Sequence, residues 1–168
     1  MRGNEPSIWH DTVLSADLSA SQATWTELSK APIHRRAFAL GECRDKVYIL
    51  GGMAETGPTT TTEVLDLKAG KWSPGPKLPG EGLQGFGGTA VTIDGQLYVT
   101  TYSGQLSRLS DDGKSWQDAG KLPRPRFFHR LLSADGRSLL AVGGASMEEG
   151  KDLSVEIVPL TSAHVTRR

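Results

Sequence analysis

One short string occurs twice in this chain and, diluted, a third time. Lys46-Val47-Tyr48-Ile49-Leu50-Gly51-Gly52 returns as Ser138-Leu139-Leu140-Ala141-Val142-Gly143-Gly144. Between them, Gln96-Leu97-Tyr98-Val99-Thr100-Thr101 keeps the apolar run and sets two threonines where the glycine pair is expected. Trp25, Trp72 and Trp116 lie 47 and 44 residues apart, and Lys30-Ala31-Pro32, Lys77-Leu78-Pro79 and Lys121-Leu122-Pro123 keep the same spacing. A period near 45 constrains the fold more than any composition: each unit must bury its apolar face against the next.

Within one period, Arg36-Ala37-Phe38-Ala39-Leu40 and Val47 to Leu50 are short apolar runs, Glu63-Val64-Leu65-Asp66-Leu67 alternates, and Lys71-Trp72-Ser73 opens a fourth run. Each is bounded by Gly, Pro or Asp-Gly, so the unit is four short strands. The order of landmarks is a Pro-x-x-Arg or Pro-Arg, an apolar strand, a tight turn, an apolar strand ending in Gly-Gly, an alternating strand and a Trp. This order resembles the kelch repeat over roughly Thr12 to Leu160. The departures are Thr100-Thr101, the lack of an arginine after Pro79, and the lack of a tryptophan after the third unit. The resemblance implies an all-β fold, a kelch-like β-propeller segment of about three four-stranded antiparallel blades.

The chain is expected to form a single partial propeller domain. Residues 8–28 hold the two outer strands of an incomplete blade, 29–78 a blade, 79–122 a blade, and 123–160 a blade lacking its outermost strand. Such a set cannot close a ring, so the missing propeller half or a second copy of the chain is an expected partner.

Of 168 residues, 37% are hydrophobic and 20 are glycine, which suits a turn-rich globular fold. Lys plus Arg and Asp plus Glu are 19 each, so no broad positive field favours nucleic acid or an anionic membrane. Met1 to Pro6 lacks an apolar signal core and no long apolar run follows, so no export or membrane segment is visible. A cytoplasmic location is expected if the sequence is complete. Cys43 is the one cysteine, and His10, His34, His129 and His164 lack ligand spacing; neither a metal nor a cofactor is expected.

Gly80-Glu81-Gly82-Leu83-Gln84-Gly85 matches a dinucleotide-binding string but leads into a strand, not a helix, so its glycines are read as making room for close packing. The spaced tryptophans are read as packing between neighbouring blades.

Because strands alternate in direction, the loops joining the second strand to the third and the fourth to the next blade share one rim. The opposite rim carries compact turns such as Asp94-Gly95 and Asp135-Gly136. The first rim carries the longer, varied loops, and function is expected there. His34-Arg35-Arg36 and Arg124-Pro125-Arg126-Phe127-Phe128-His129 lie at its inner-strand entrances. Guanidinium groups there suit carboxylates or sulfate-like groups, and the phenylalanines add apolar contact. The candidate binding residues are Arg36, Arg124, Arg126, Phe127, His34 and His129. Arg35 and Arg126 also fall on a landmark of the repeat itself, where they have loop carbonyls to bond.

The expected function is a non-catalytic binding module for an acidic peptide, protein or carbohydrate. The competing class is a carbohydrate-active propeller enzyme such as a sialic-acid mutarotase or epimerase, with Glu81 and Glu148 or Glu149 as the available acids.

Overall fold

The computed structural model describes residues 10–133 and 135–160. In chain order the strands are β1 (Leu14–Ala16), β2 (Trp25–Glu27), β3 (Arg35–Arg36), β4 (Ala39–Cys43), β5 (Lys46–Leu50), β6 (Met53–Ala54), β7 (Gly57–Pro58), β8 (Thr62–Asp66) and β9 (Lys71–Pro74). They continue with β10 (Thr89–Ile93), β11 (Gln96–Thr100), β12 (Gln105–Leu109), β13 (Trp116–Lys121), β14 (Arg130–Ser133), β15 (Ser138–Val142), β16 (Ala145–Ser146), β17 (Gly150–Lys151) and β18 (Val155–Pro159). A 3₁₀ turn, Gly82–Gly85, is the only helical element among the described residues.

The antiparallel sheets β4-β5-β8-β9, β10-β11-β12-β13 and β14-β15-β18 are the first, second and third blades. The pair β1-β2 precedes them. The two-residue turn between β4 and β5 places Arg44 and Asp45 at φ 54° and 59°, and Asp94-Gly95 does the same between β10 and β11 at 49° and 72°. Positive φ at both central residues matches the twist of the flanking strands.

The string that repeats in the sequence becomes the second strand of each blade, and its unbroken apolar character follows from burial on both faces. Tyr48, Ile49 and Leu50 are all enclosed. One core, with Leu50, Tyr48, Val64, Leu97, Val99 and Leu109, lies between the first and second blades; another, with Ile93, Leu106, Leu131, Leu139 and Val158, lies between the second and third. The tryptophans tie neighbours together. Trp72 donates through Nε1 to the Ser29 carbonyl at 3.3 Å, and Trp116 to the Pro76 carbonyl at 3.0 Å, each reaching the segment that follows the preceding blade's last strand.

At the compact rim, the Cys43 thiol donates to Gly95 O, 3.1 Å away, and Arg44 bonds the Ser110 and Asp111 carbonyls. These contacts run from blade to blade. The opposite rim keeps its longer loops open, with β3 pairing β6 and Phe127 bridging Ala145.

Candidate functional site

The rim of longer loops is built on two arginine clamps. Arg35 donates through Nη1 to Gly51 O (3.2 Å), Thr61 O (2.9 Å) and Thr61 Oγ1 (2.6 Å), and Nη2 lies 3.3 Å from Glu63 Oε1. Arg126 repeats the arrangement: Nη1 donates to Gly143 O (3.3 Å) and Ser154 Oγ (3.1 Å) and pairs with Asp152 Oδ2 (3.0 Å), while Nη2 lies 2.5 Å from Glu156 Oε2. Each guanidinium thus closes a loop whose ends are already joined by two backbone bonds, Gly51 N–H to Thr61 O with Thr59 N–H to Gly52 O, and Gly143 N–H to Ser154 O with Asp152 N–H to Gly144 O, all 2.9 Å. Desolvation lowers the pKa of Arg35, opposed by Glu63.

This corrects two of the sequence expectations. The Arg126 side chain is 0% exposed and consumed by its own loop. His129 is also fully buried, its Nε2 2.9 Å from Thr100 Oγ1; burial first, then Arg126 and Arg130, push its pKa down to about 4, so the ring is neutral. The His129 ring presents no surface to a ligand, and the Arg126 guanidinium is held in its own ion pairs. Loop closure and inner-strand packing took priority over display.

The second blade has no clamp. Gly85 stands where Arg35 and Arg126 stand, and a Cβ there would fall 1.7 Å from Thr59 O, so the position admits glycine only. This is also the structural role of the glycine-rich string, whose 3₁₀ turn runs directly into the backbone of the first blade's loop.

Strand pairing places Thr100 opposite Thr89, as Leu50 is opposite Ala39 and Val142 opposite Arg130. The residues equivalent to the glycine pairs are therefore Thr101 and Tyr102, one position later than the sequence suggests. A tight turn closed by Gly104 N–H to Thr101 O (2.9 Å) replaces the long loop.

The shortened loop leaves a cavity of about 260 Å³ beside the β16–β17 hairpin of the third blade. Tyr102 and Phe127 stack on its wall, ring centroids 5.6 Å apart at 8°. Phe86 and Phe128 brace Phe127 at 5.6 and 5.1 Å. Arg124, 46% exposed, lines the cavity with Nε donating to Glu156 Oε1 (2.6 Å) and Nη1 3.8 Å from Asp152 Oδ2. The Glu156 hydrogen bond raises the Arg124 pKa above its usual value. Met147, Glu148 and Glu149 also line the cavity.

Of the expected binding residues, the structure brings Arg124, Arg126 and Phe127 to this cavity, with Arg126 contributing wall while its guanidinium is paired with Asp152 and Glu156. Arg36 and His34 are exposed at the first blade's entrance and do not line it, and Glu81 does not either. Tyr102 was missed. Its signal was present, since it fills a position held by glycine in both other repeats.

The Kelch motif family matches residues 34–79, which contain the first clamp and its blade. The repeat is the kelch motif. Kelch-like protein 40 of Xenopus laevis is 27% identical over 105 residues, covering 55% of this chain and 17% of that protein, and Kelch-like protein 40 of Mus musculus is 26% identical over the same shares. The solved structure of YjhT superposes with a TM-score of 0.72 at 20% identity, over 91% of this chain and 50% of that one. The chain therefore spans half the length of that kelch-type propeller and about a sixth of the curated relatives, and these likenesses fix the kelch fold.

Proposed function

We propose that the chain is a binding module that takes its ligand, a protein segment or carbohydrate, in the cavity between Tyr102, Phe127 and Arg124. The observation that carries this reading is the replacement of a repeat glycine by Tyr102, stacked on Phe127 at the mouth of the one rim loop shortened enough to open a cavity. A flat sugar ring or an apolar side chain suits that aromatic wall. An anionic group on the same ligand meets the exposed side of Arg124, whose orientation Glu156 fixes.

A second reading has one observation in its favour: Glu148 and Glu149 line the same cavity as Arg124, which supplies an acid and a cation for sugar chemistry. One set of measurements separates the two. Titration calorimetry with N-acetylneuraminic acid and with an acidic hexapeptide is expected to give saturable binding of at least one, lost in Tyr102→Ala and weakened in Arg124→Ala. Binding unchanged in both variants would sink the assignment of the cavity. Catalysed interconversion of the sugar's anomers, abolished in Glu149→Gln, would replace the module with the enzyme.

A further inference from the structure

A second cavity, of about 580 Å³, lies between the first and second blades on the side of the compact rim, where the Arg44 turn meets the turn from Asp111 to Lys114. Two short residues leave it open. On the first blade Tyr48 stands opposite Val64 and Val64 opposite Ser73, whereas the same row of the second blade reads Tyr98, Arg108 and Gln117. There Arg108 reaches across to donate to Gln117 Oε1. Val64 and Ser73 cannot span that distance, so the outer part of the first blade's face stays unfilled beside Tyr48.

Tyr48 is 4% exposed, and its hydroxyl extends to the second blade's turn, 3.8 Å from the place that a Cβ on Gly113 would take. Among the described residues this hydroxyl has no hydrogen-bond partner. Desolvation, with a smaller push from Cys43, raises its pKa against the pull of Arg44, so at neutral pH it is a protonated donor. A buried phenol ordinarily has an acceptor. This one faces the cavity instead.

The charges lining the cavity fall into two groups. Arg44 Nη2 lies 3.7 Å from Asp111 Oδ1, which Arg108 Nη1 also approaches to 3.7 Å, and Asp112 Oδ1 accepts from Ser110 Oγ–H (2.6 Å) and Lys114 N–H (3.0 Å). Both carboxylates are thus engaged within the fold. Lys46 and Lys114 line the same cavity, and among the described residues neither ammonium is in an ion pair. Lys46 stands opposite Asp66, whose Oδ1 is taken by the Lys68 and Ala69 amides at 3.0 and 2.9 Å.

We infer that this cavity binds a small phosphate monoester. Tyr48 Oη–H donates to a phosphate oxygen, and Lys46 and Lys114 supply the positive charge. Two unpaired ammonium groups match a group that carries about −1.5 to −2 at neutral pH, whereas a carboxylate would leave one of them uncompensated. Val64, Pro74 and Pro76 offer the rest of the ligand an apolar bed. The site is separate from the Tyr102–Phe127 cavity and shares no residue with it.

The test titrates the full chain into phenyl phosphate and follows the ligand by phosphorus NMR. Saturable binding is expected, weakened about tenfold in Tyr48→Phe, the usual consequence of losing one hydrogen bond to a charged group. Because the hydroxyl has no partner in the fold, Tyr48→Phe is expected to melt with the parent, which separates lost binding from lost structure. Joint replacement by Lys46→Gln and Lys114→Gln is expected to abolish binding. Lys71→Gln, on an exposed residue outside the cavity, and Tyr102→Ala, on the opposite rim, are expected to bind like the parent. Absence of saturation, parent-like binding by Tyr48→Phe, or benzoate bound as tightly as phenyl phosphate overturns the proposal. So does an equal loss in Lys71→Gln, because affinity would then follow net charge and not this cavity.

Discussion

The second blade differs from the first and third in one loop, and the difference separates what the repeat needs from what it can give up. In the first and third blades a glycine pair turns the chain out of the second strand, at φ 63° and 112° and at 63° and 109°. The long loop that follows is then fastened by a buried arginine. In the second blade the turn from Thr101 to Gly104 is too short to need fastening, so both the glycine pair and the arginine are gone, and a tyrosine occupies the freed space. The clamp is thus a device for holding long loops, and its loss beside an intact clamp creates the cavity. Exposed Arg124 and buried Arg126 make the same point two residues apart: one orients a surface, the other holds the loop that forms it.

Removing a clamp is the hardest blow to this contrast. Arg126→Ala leaves Asp152 and Glu156 facing a vacated site and is expected to cost about 3–5 kcal/mol. Arg35→Ala is expected to cost less, because its partner Glu63 is 22% exposed and water replaces part of the pairing. Urea unfolding of both variants checks the order; equal and small losses would show that the loops stand without their arginines.

His129 provides the next largest effect. Its folded pKa of about 4 lies below the ordinary 6.5, so the unfolded chain takes up the proton first as pH falls. The neutral ring therefore contributes stability that is complete above about pH 6.5 and is lost on the way down to about pH 4, a change of roughly 3 kcal/mol from the shift. His129→Gln retains a partner for Thr100 and is expected to flatten the stability profile over that window. A parent profile already flat there would mean that the ring is solvated or protonated in the folded chain.

The smallest effect on stability and the largest on function belong to one variant. Tyr102→Gly restores the residue that the repeat carries elsewhere and removes one stacked pair, worth about 1 kcal/mol. It is expected to lower the melting temperature by only about 2–4 °C while abolishing ligand binding at the cavity. Retained binding would move the site away from the second blade and toward exposed Arg36.

Most of the fold was legible because its signals are local and repeated. The apolar second strands, the tight turns and the periodic tryptophans each recur, so the four-strand unit follows from spacing, and the two rims follow from the resemblance to the kelch repeat. The site was legible only in part. Arg124 and Phe127 could be found as residues of the right type beside a rim, but Arg126 looks the same in a sequence. What distinguishes it is a pair of carboxylates, Asp152 and Glu156, brought back from far along the chain by β15 and β18 pairing.

The sequence by itself determined the repeat, its strand order and the turn geometry, because each depends on residues close together in the chain and on backbone preferences that glycine, proline and alternation express directly. Tertiary structure decided the rest. Sheet register moved the altered pair from Thr100-Thr101 to Thr101-Tyr102, loop closure buried Arg126, and inner-strand packing enclosed His129. These outcomes depend on which distant atoms compete for one donor or one volume, and that competition exists only once the blades are stacked.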